Sequence, residues 1–216
     1  MGEPTHSFEN NVFINCPFDN EYLPLLRPLL FTIIYLGKIP RIALERSDSG
    51  ENRIDKICEL IADSQFGIHD LSRLKSIHSE EFFRLNMPFE LGIDYGARVF
   101  GSGLKKQKKH LILEKSPYDY KIALSDLSGV DIKTHKEEPK EIVRAVRDWF
   151  YETVDSTNAD YTTKIWYQFA EFSKSLFNDR KVEGLTDKQV AEEINKMPIS
   201  EYLDCVRVWI SENKTI

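Results

Sequence analysis

The segment NMPFELGIDYGA, residues 86–97, sets one acid, Glu90, among Met87, Phe89, Leu91 and Ile93, with Gly92 and Gly96 close behind. A carboxylate in such company has two ordinary uses. It can sit at a helix start, where it favours the positive end of the macrodipole and caps free N–H groups. Alternatively it acts on a substrate, as nucleophile or anionic stabiliser, with small residues leaving room for approach. Residue type alone leaves both open. Glycosyl transfer is the chemistry that suits the second use. It needs a carboxylate facing an oxocarbenium-like sugar carbon, acceptors for sugar hydroxyls and an aromatic surface for a base.

Candidates for the accessory roles collect at the ends of predicted strands. The first strand ends in Asn15, Cys16, Pro17, Phe18 and Asp19. The second ends in Glu45, with Asp48, Ser49 and Gly50 just beyond, and the third in His69 and Asp70, followed by Ser72 and Arg73. Ligands of open parallel sheets bind outside the carboxyl ends of the strands. Asp19, Asp48 and Asp70 are candidate acceptors for sugar hydroxyls, and Phe18 and Tyr22 can stack or pack against a base. Asn15, Glu45, Ser49, Asn86 and Met87 complete the candidate binding set.

Each residue also has a structural use. Asp19 suits the N-cap of a helix beginning near Glu21, which its residue type favours. Asp48 and Ser49 are common turn residues. His69 reads as a packed or solvent-facing histidine, and Cys16 as a core-edge thiol with no histidine close in sequence. No metal-ligand spacing, phosphate loop or nucleophile elbow is present. Gly101-Ser102-Gly103 follows a helix and precedes the run KKQKK, so it reads as a helix terminus and a solvated loop.

Stepping along the chain, residues 11–15 (NVFIN) predict a buried strand and 21–36 an apolar helix, in which Pro28 should kink or restart the turns. Gly37 suits its C-cap. Residues 39–45 predict a second strand, and 52–63 an amphipathic helix from Ile54, Ile57, Cys58 and Ile61. Residues 65–70 predict a third strand, a helix starts near Pro88, 109–114 form a fourth strand and 129–133 a short fifth. Residues 138–151 predict a helix burying Ile142, Val143, Val146, Trp149 and Phe150. Alternating strands and helices indicate an α/β domain with an open parallel sheet of about five strands. It spans 11–155, after a disordered stretch over 1–10. A turn-rich linker, DSTNAD, leads to a helical subdomain over 160–216, with amphipathic helices in 161–177 and 199–210 and a third in 187–197. Its many aromatics are expected to cap the sheet and complete one core; a dimer or partner surface is the alternative.

The 216 residues suit one domain with a small appendage. Hydrophobic residues make up 41% and charged ones 30%, the balance of a globular chain. A net charge of −6 argues against a broad nucleic-acid surface. Cys16, Cys58 and Cys205 are too few and scattered for a disulfide framework, and MGEPTHSFENN carries no apolar signal core. A cytoplasmic location, away from membranes, is therefore expected.

The stretches VFINCPFDNEY, PRIALERSDSGENRIDKICELIADSQFGIHDLSR and RLNMPFELGIDYGA resemble the nucleoside 2-deoxyribosyltransferase-like superfamily, structurally close to TIR domains. More narrowly they resemble its bacterial members associated with anti-phage defence. The likeness covers about residues 11–150 and implies a flavodoxin-like or TIR-like sheet. In the deoxyribosyltransferases a D-x-G-T-x-x-E-x-G motif carries the nucleophilic glutamate. Phe89-Glu90-Leu91-Gly92 matches its end, so Glu90 inherits that role, and Asp70 resembles the family's strand-end acid. Arg84 stands where the motif has aspartate, and Asn86-Met87 replace Gly-Thr. These departures bear on the substrate more than on the glycosidic chemistry. The resemblance thus implies an N-glycosidase acting on NAD or a related nucleotide, as a defence effector, with no cofactor beyond that ligand. Base exchange between nucleosides and a non-catalytic nucleotide- or protein-binding module are the alternatives. It also implies a homo-oligomer, and an effector would answer to an activating protein partner.

Overall fold

The computed structural model describes residues 7–74, 85–127, 129–154 and 159–214. Five strands, β1 (Asn11–Asn15), β2 (Ile39–Ile42), β3 (Phe66–Asp70), β4 (Lys109–Glu114) and β5 (Lys133–Thr134), form one all-parallel sheet in the order β2-β1-β3-β4-β5. Seven helices accompany it: α1 (Leu23–Tyr35), α2 (Arg53–Ala62), α3 (Asn86–Phe100), α4 (Pro139–Val154), α5 (Thr162–Arg180), α6 (Asp187–Lys196) and α7 (Ile199–Asn213). This is the expected α/β architecture with a C-terminal helical part.

Strand alternation sorts the two faces. Val12, Ile14, Phe66, Ile68, Leu111 and Leu113 join the core shared with α1 and α4. Phe13 packs instead with Ile57, Leu60 and Ile61 of α2, and Ile112 with Met87 and Leu91 of α3. Side chains of odd-numbered β1 and β3 residues therefore face α2 and α3, which is where Asn15 and His69 point. Pro40 is accommodated because β2 is an edge strand.

α1 is apolar around its circumference because it is covered twice. The sheet lies on one side; on the other, Phe31 meets Phe169, Phe172 and Trp209 at ring distances of 5.5, 5.6 and 6.0 Å. The aromatics of α5 and α7 thus complete the core of the sheet's α1/α4 face. Pro24 falls in the first turn of α1, and the helix runs through Pro28 without restarting. Gly37 follows with φ +77°, the left-handed residue expected past a helix end.

Several expected boundaries move. β2 stops at Ile42, because Ala43–Glu45 turn back, with Glu45 N–H donating to Ile42 O (2.9 Å). β5 is Lys133–Thr134 rather than 129–133. α3 begins at Asn86, two residues before Pro88. Of the stretch 1–10, residues 1–6 lie outside the described residues. Ser7–Asn10 form a turn tied to the amino end of the central strands, where Phe8 O accepts from Gln65 N–H (2.9 Å). Most of the linker, 155–158, also lies outside them.

Candidate functional site

A cleft of about 460 Å³ opens at the carboxyl end of β1, where the strand order reverses between β1 and β3. That is the topological switch point at which open α/β sheets bind ligands, and the volume suits a small molecule. Phe18, Asp19, Arg53, Leu85, Asn86 and Met87 line it, with Cys16 and Pro17. A hollow of about 420 Å³ on α5 and α7, lined by residues such as Gln168 and Trp209, contains none of the strand-end groups.

Glu90 lies one helical turn after Asn86 and Met87, behind the residues that line this cleft, and is 4% exposed. It is the fifth residue of α3; the N-cap is Leu85, and the first turn holds no acid. The helix-cap reading of Glu90 is thereby corrected. Among the described residues its carboxylate has no hydrogen bond or ion pair. Burial raises its pKa to about 7, against the pull of the Arg53 charge. The shielding does not come from Phe89, which is 59% exposed on the opposite side of the helix. Gly92 and Gly96 also face away from the cleft, on the solvent side of α3.

A second acid on the same buried face, Asp94, is held on both oxygens. His69 Nε2 lies 3.0 Å from Oδ2; Lys108 Nζ and His110 Nε2 lie 3.0 and 3.3 Å from Oδ1. Burial opposes its charge, but His110 and His69 outweigh it and keep the carboxyl well below the usual range. Lys108 also donates to Ile61 O (2.7 Å) and Ser64 O beyond the end of α2. The expected solvated KKQKK loop is thus corrected at Lys108, which is buried as a clamp between α2 and α3. Gly67 makes room for the arrangement: a Cβ there would stand 2.1 Å from Asp94 Oδ2.

Asn15 ties α3 to β1. Its Nδ2 donates to Met87 O (2.8 Å) and lies 3.0 Å from His69 Nδ1. With Nδ2 fixed as a donor by the carbonyl, His69 Nδ1 accepts and Nε2–H donates to Asp94. His69 is fully buried and its pKa is lowered by burial, in keeping with this neutral tautomer.

Asp70, at the end of β3, points to the α1/α4 face. Oδ2 accepts from Tyr22 Oη and lies 3.1 Å from His135 Nε2, and Oδ1 accepts from Ser72 N–H (2.8 Å). Burial works against its charge, yet these partners hold its pKa below the ordinary value. Tyr22, 1% exposed, therefore serves Asp70 and presents no face to a ligand. Glu114 ends β4 nearby. It is 1% exposed, its oxygens have no side-chain partner among the described residues, and burial raises its pKa to about 7 against the pull of the Tyr120 and Tyr118 backbone.

The other candidates divide. Phe18 and Asp19 stand on the cleft wall with Asn86 and Met87. Asp19 Oδ1 also accepts from Tyr22 N–H (3.0 Å), capping the turn before α1, and Oδ2 pairs with Arg73 Nη1 (2.7 Å). Glu45 folds back on Arg41 (2.9 Å). Asp48 closes its own turn by accepting from Gly50 N–H (2.8 Å), and Ser49 is exposed beside it. None of Glu45, Asp48 and Ser49 lines the cleft. Burial, together with Asp70, Glu90 and Asp19, pushes the Cys16 thiol up, so it stays protonated rather than acting as a thiolate. Arg84 lies outside the described residues.

Arg53, Asp94, Lys108, Glu114 and His135 escaped sequence reasoning. Asp94 had a local signal: it falls four residues after Glu90, hence on the same helical face. Arg53 is the first residue of α2, where its charge joins the positive helix end at the cleft. Lys108, Glu114 and His135 come from the far half of the sheet, and only the strand order brings them in.

The cleft thus offers a guanidinium without an ion-pair partner among the described residues and an aromatic wall, with the desolvated Glu90 carboxylate one helical turn behind its lining. Among the described residues no cluster of His, Cys, Asp and Glu could hold a metal ion, and no helix is long and apolar enough to cross a membrane. No family model, curated protein or solved structure matches the chain.

Proposed function

We propose that this chain is an N-glycosidase that cleaves the base–sugar bond of NAD or a related nucleotide, with Glu90 as nucleophile or anionic stabiliser at C1′. The observation that carries this reading is the isolation of Glu90: a buried carboxylate, unpaired among the described residues, one helical turn behind the Asn86 and Met87 that line a cleft at the sheet's switch point. Folding alone gives no reason to bury such a group unpaired. In the covalent form of the reaction, a Glu90 oxygen bonds to C1′ as the C1′–N bond breaks, and the electron pair leaves with the base. Water then cleaves the glycosyl ester, giving the free sugar hydroxyl, returning the carboxylate and releasing one proton to solvent.

Arg53 supports a phosphorylated substrate, since a guanidinium on the cleft wall matches phosphate oxygens. Phe18 supplies the apolar wall for a base.

The test is to incubate the purified protein and Glu90→Gln with NAD, ribonucleotides and deoxynucleosides, and to follow free base and nicotinamide by chromatography. Release by the wild type alone is expected. Base exchange without hydrolysis would instead make the chain a transferase, and nucleotide binding without turnover a receptor module.

A further inference from the structure

We propose that the solvent face of α3 is a two-fold interface with a second copy of this chain. This inference does not rest on the glycosidase reading.

A helix at the surface of a globular protein normally turns charged residues to water. α2 shows Asp55 and Glu59 there, and α4 shows Arg144 and Glu152. α3 does not. Its two acids, Glu90 and Asp94, are buried, and the sole charge on its outer side is Arg98, whose guanidinium lies over the Tyr95 ring at 5.6 Å. In place of charges runs an apolar stripe at helical spacing: Leu85, Phe89, Gly92, Gly96, Val99 and Phe100. Leu85, Phe89, Val99 and Phe100 are 62, 59, 45 and 88% exposed.

The glycines indicate what covers it. Each costs a helix about 1 kcal/mol relative to alanine. Among the described residues of one copy neither is needed: a Cβ at Gly92 would meet nothing within 4 Å, and at Gly96 only Phe100 Cδ2 at 3.8 Å. A notch that the described residues leave unfilled suits the close approach of another backbone or a large side chain. Phe89 and Phe100 are such side chains, on the same stripe. Antiparallel pairing about a two-fold axis near Gly92 sets Phe89 of each copy over Gly96 of the other, and Leu85 against Phe100. Knob and notch on one surface make it self-complementary, as an isologous contact requires.

The size agrees. With Tyr95 and Leu104 alongside, the exposed apolar side chains offer about 600 Å² per copy, near the roughly 800 Å² per partner of a standard interface. Leu85 belongs both to the stripe and to the cleft lining, so the second copy would stand at the cleft's rim.

Sedimentation velocity over a range of concentrations tests the proposal. The wild type is expected at twice the 25.2 kDa chain mass. Phe100→Asp, and separately Gly96→Leu, should shift it to monomer while the far-ultraviolet circular dichroism and melting profile stay those of a folded protein. Gly92→Cys, in a Cys58→Ser background, should form a disulfide-linked dimer on mild oxidation, whereas Lys174→Cys in the same background should not. A wild type that stays monomeric at every concentration overturns the proposal. So does a dimer that survives both disrupting substitutions, or one that Gly92→Cys fails to cross-link.

Discussion

Glu90 and Asp94 sit one helical turn apart on the buried face of α3, yet only Asp94 has partners: two histidines and a lysine surround it, and Glu90 has none among the described residues. The same helix buries the same chemistry twice, once satisfied and once not. Asp94 fixes the height and rotation of α3 against β3, β4 and the end of α2. The helix in turn holds Glu90 behind the cleft, in a place where its carboxylate is destabilised as an anion. A charge kept unpaired by a well-anchored scaffold is what a preorganised reactive group requires.

Glu90→Gln is therefore expected to stabilise the protein while abolishing base release. A carboxylate whose folded pKa is raised from 4.5 to about 7 penalises the folded state progressively as pH rises across that interval. The penalty is absent below about pH 4.5 and complete above about pH 7, with a ceiling of about 3 kcal/mol. Urea unfolding at pH 8 should show Glu90→Gln more stable than wild type by roughly 1–3 kcal/mol, with the gap closing toward pH 4.5. Glu114 titrates in the same direction in both proteins and cancels in the difference. A variant less stable at pH 8 would mean that Glu90 carries a structural bond.

Asp94→Asn should do the reverse. Lys108 would keep a buried ammonium without its counter-charge, at a cost of about 3–5 kcal/mol. Gly67→Ala should be damaging for the same reason, because its methyl would occupy the place of Asp94 Oδ2 and press on His69 Nε2, 2.8 Å away. Both are read by chemical denaturation, and the cost of Asp94→Asn should shrink as rising pH strips the proton from Lys108, whose pKa burial already lowers.

The strands and the parallel sheet were legible in the sequence because they rest on local pattern: NVFIN, FGIHD and KHLILE are short apolar runs between breakers. The role of Gly92 and Gly96 was not. Their spacing suggested room for substrate, and only the rotation of α3, set by Asp94 and Leu91 beneath it, turns them outward. Asp48 and Ser49 looked like ligand-binding groups at a strand end, but β2 ends earlier and at the sheet edge, so its loop closes on itself. His135 and Glu114 had no local signal, since the register of β4 with β3 and β5 sets their place beside Asp70.

Arg53 supplies the last prediction, and it separates binding from chemistry. If the glycosidase reading holds, kcat/KM should rise about tenfold per pH unit below pH 7 and level off above it, because Glu90 acts as an anion. Arg53 is the charge that holds Glu90 down, so Arg53→Ala should move this limb to higher pH. The same substitution should weaken substrates bearing phosphate far more than their dephosphorylated counterparts, on the order of tenfold or more in KM. Arg53→Lys keeps the charge and loses the planar fork, so it should restore the pH limb and only part of the affinity. A pH profile unmoved by Arg53→Ala would show that the two groups do not share the field of one cleft. An equal loss for phosphorylated and unphosphorylated substrates would take the phosphate away from Arg53 and leave it as a wall of the site.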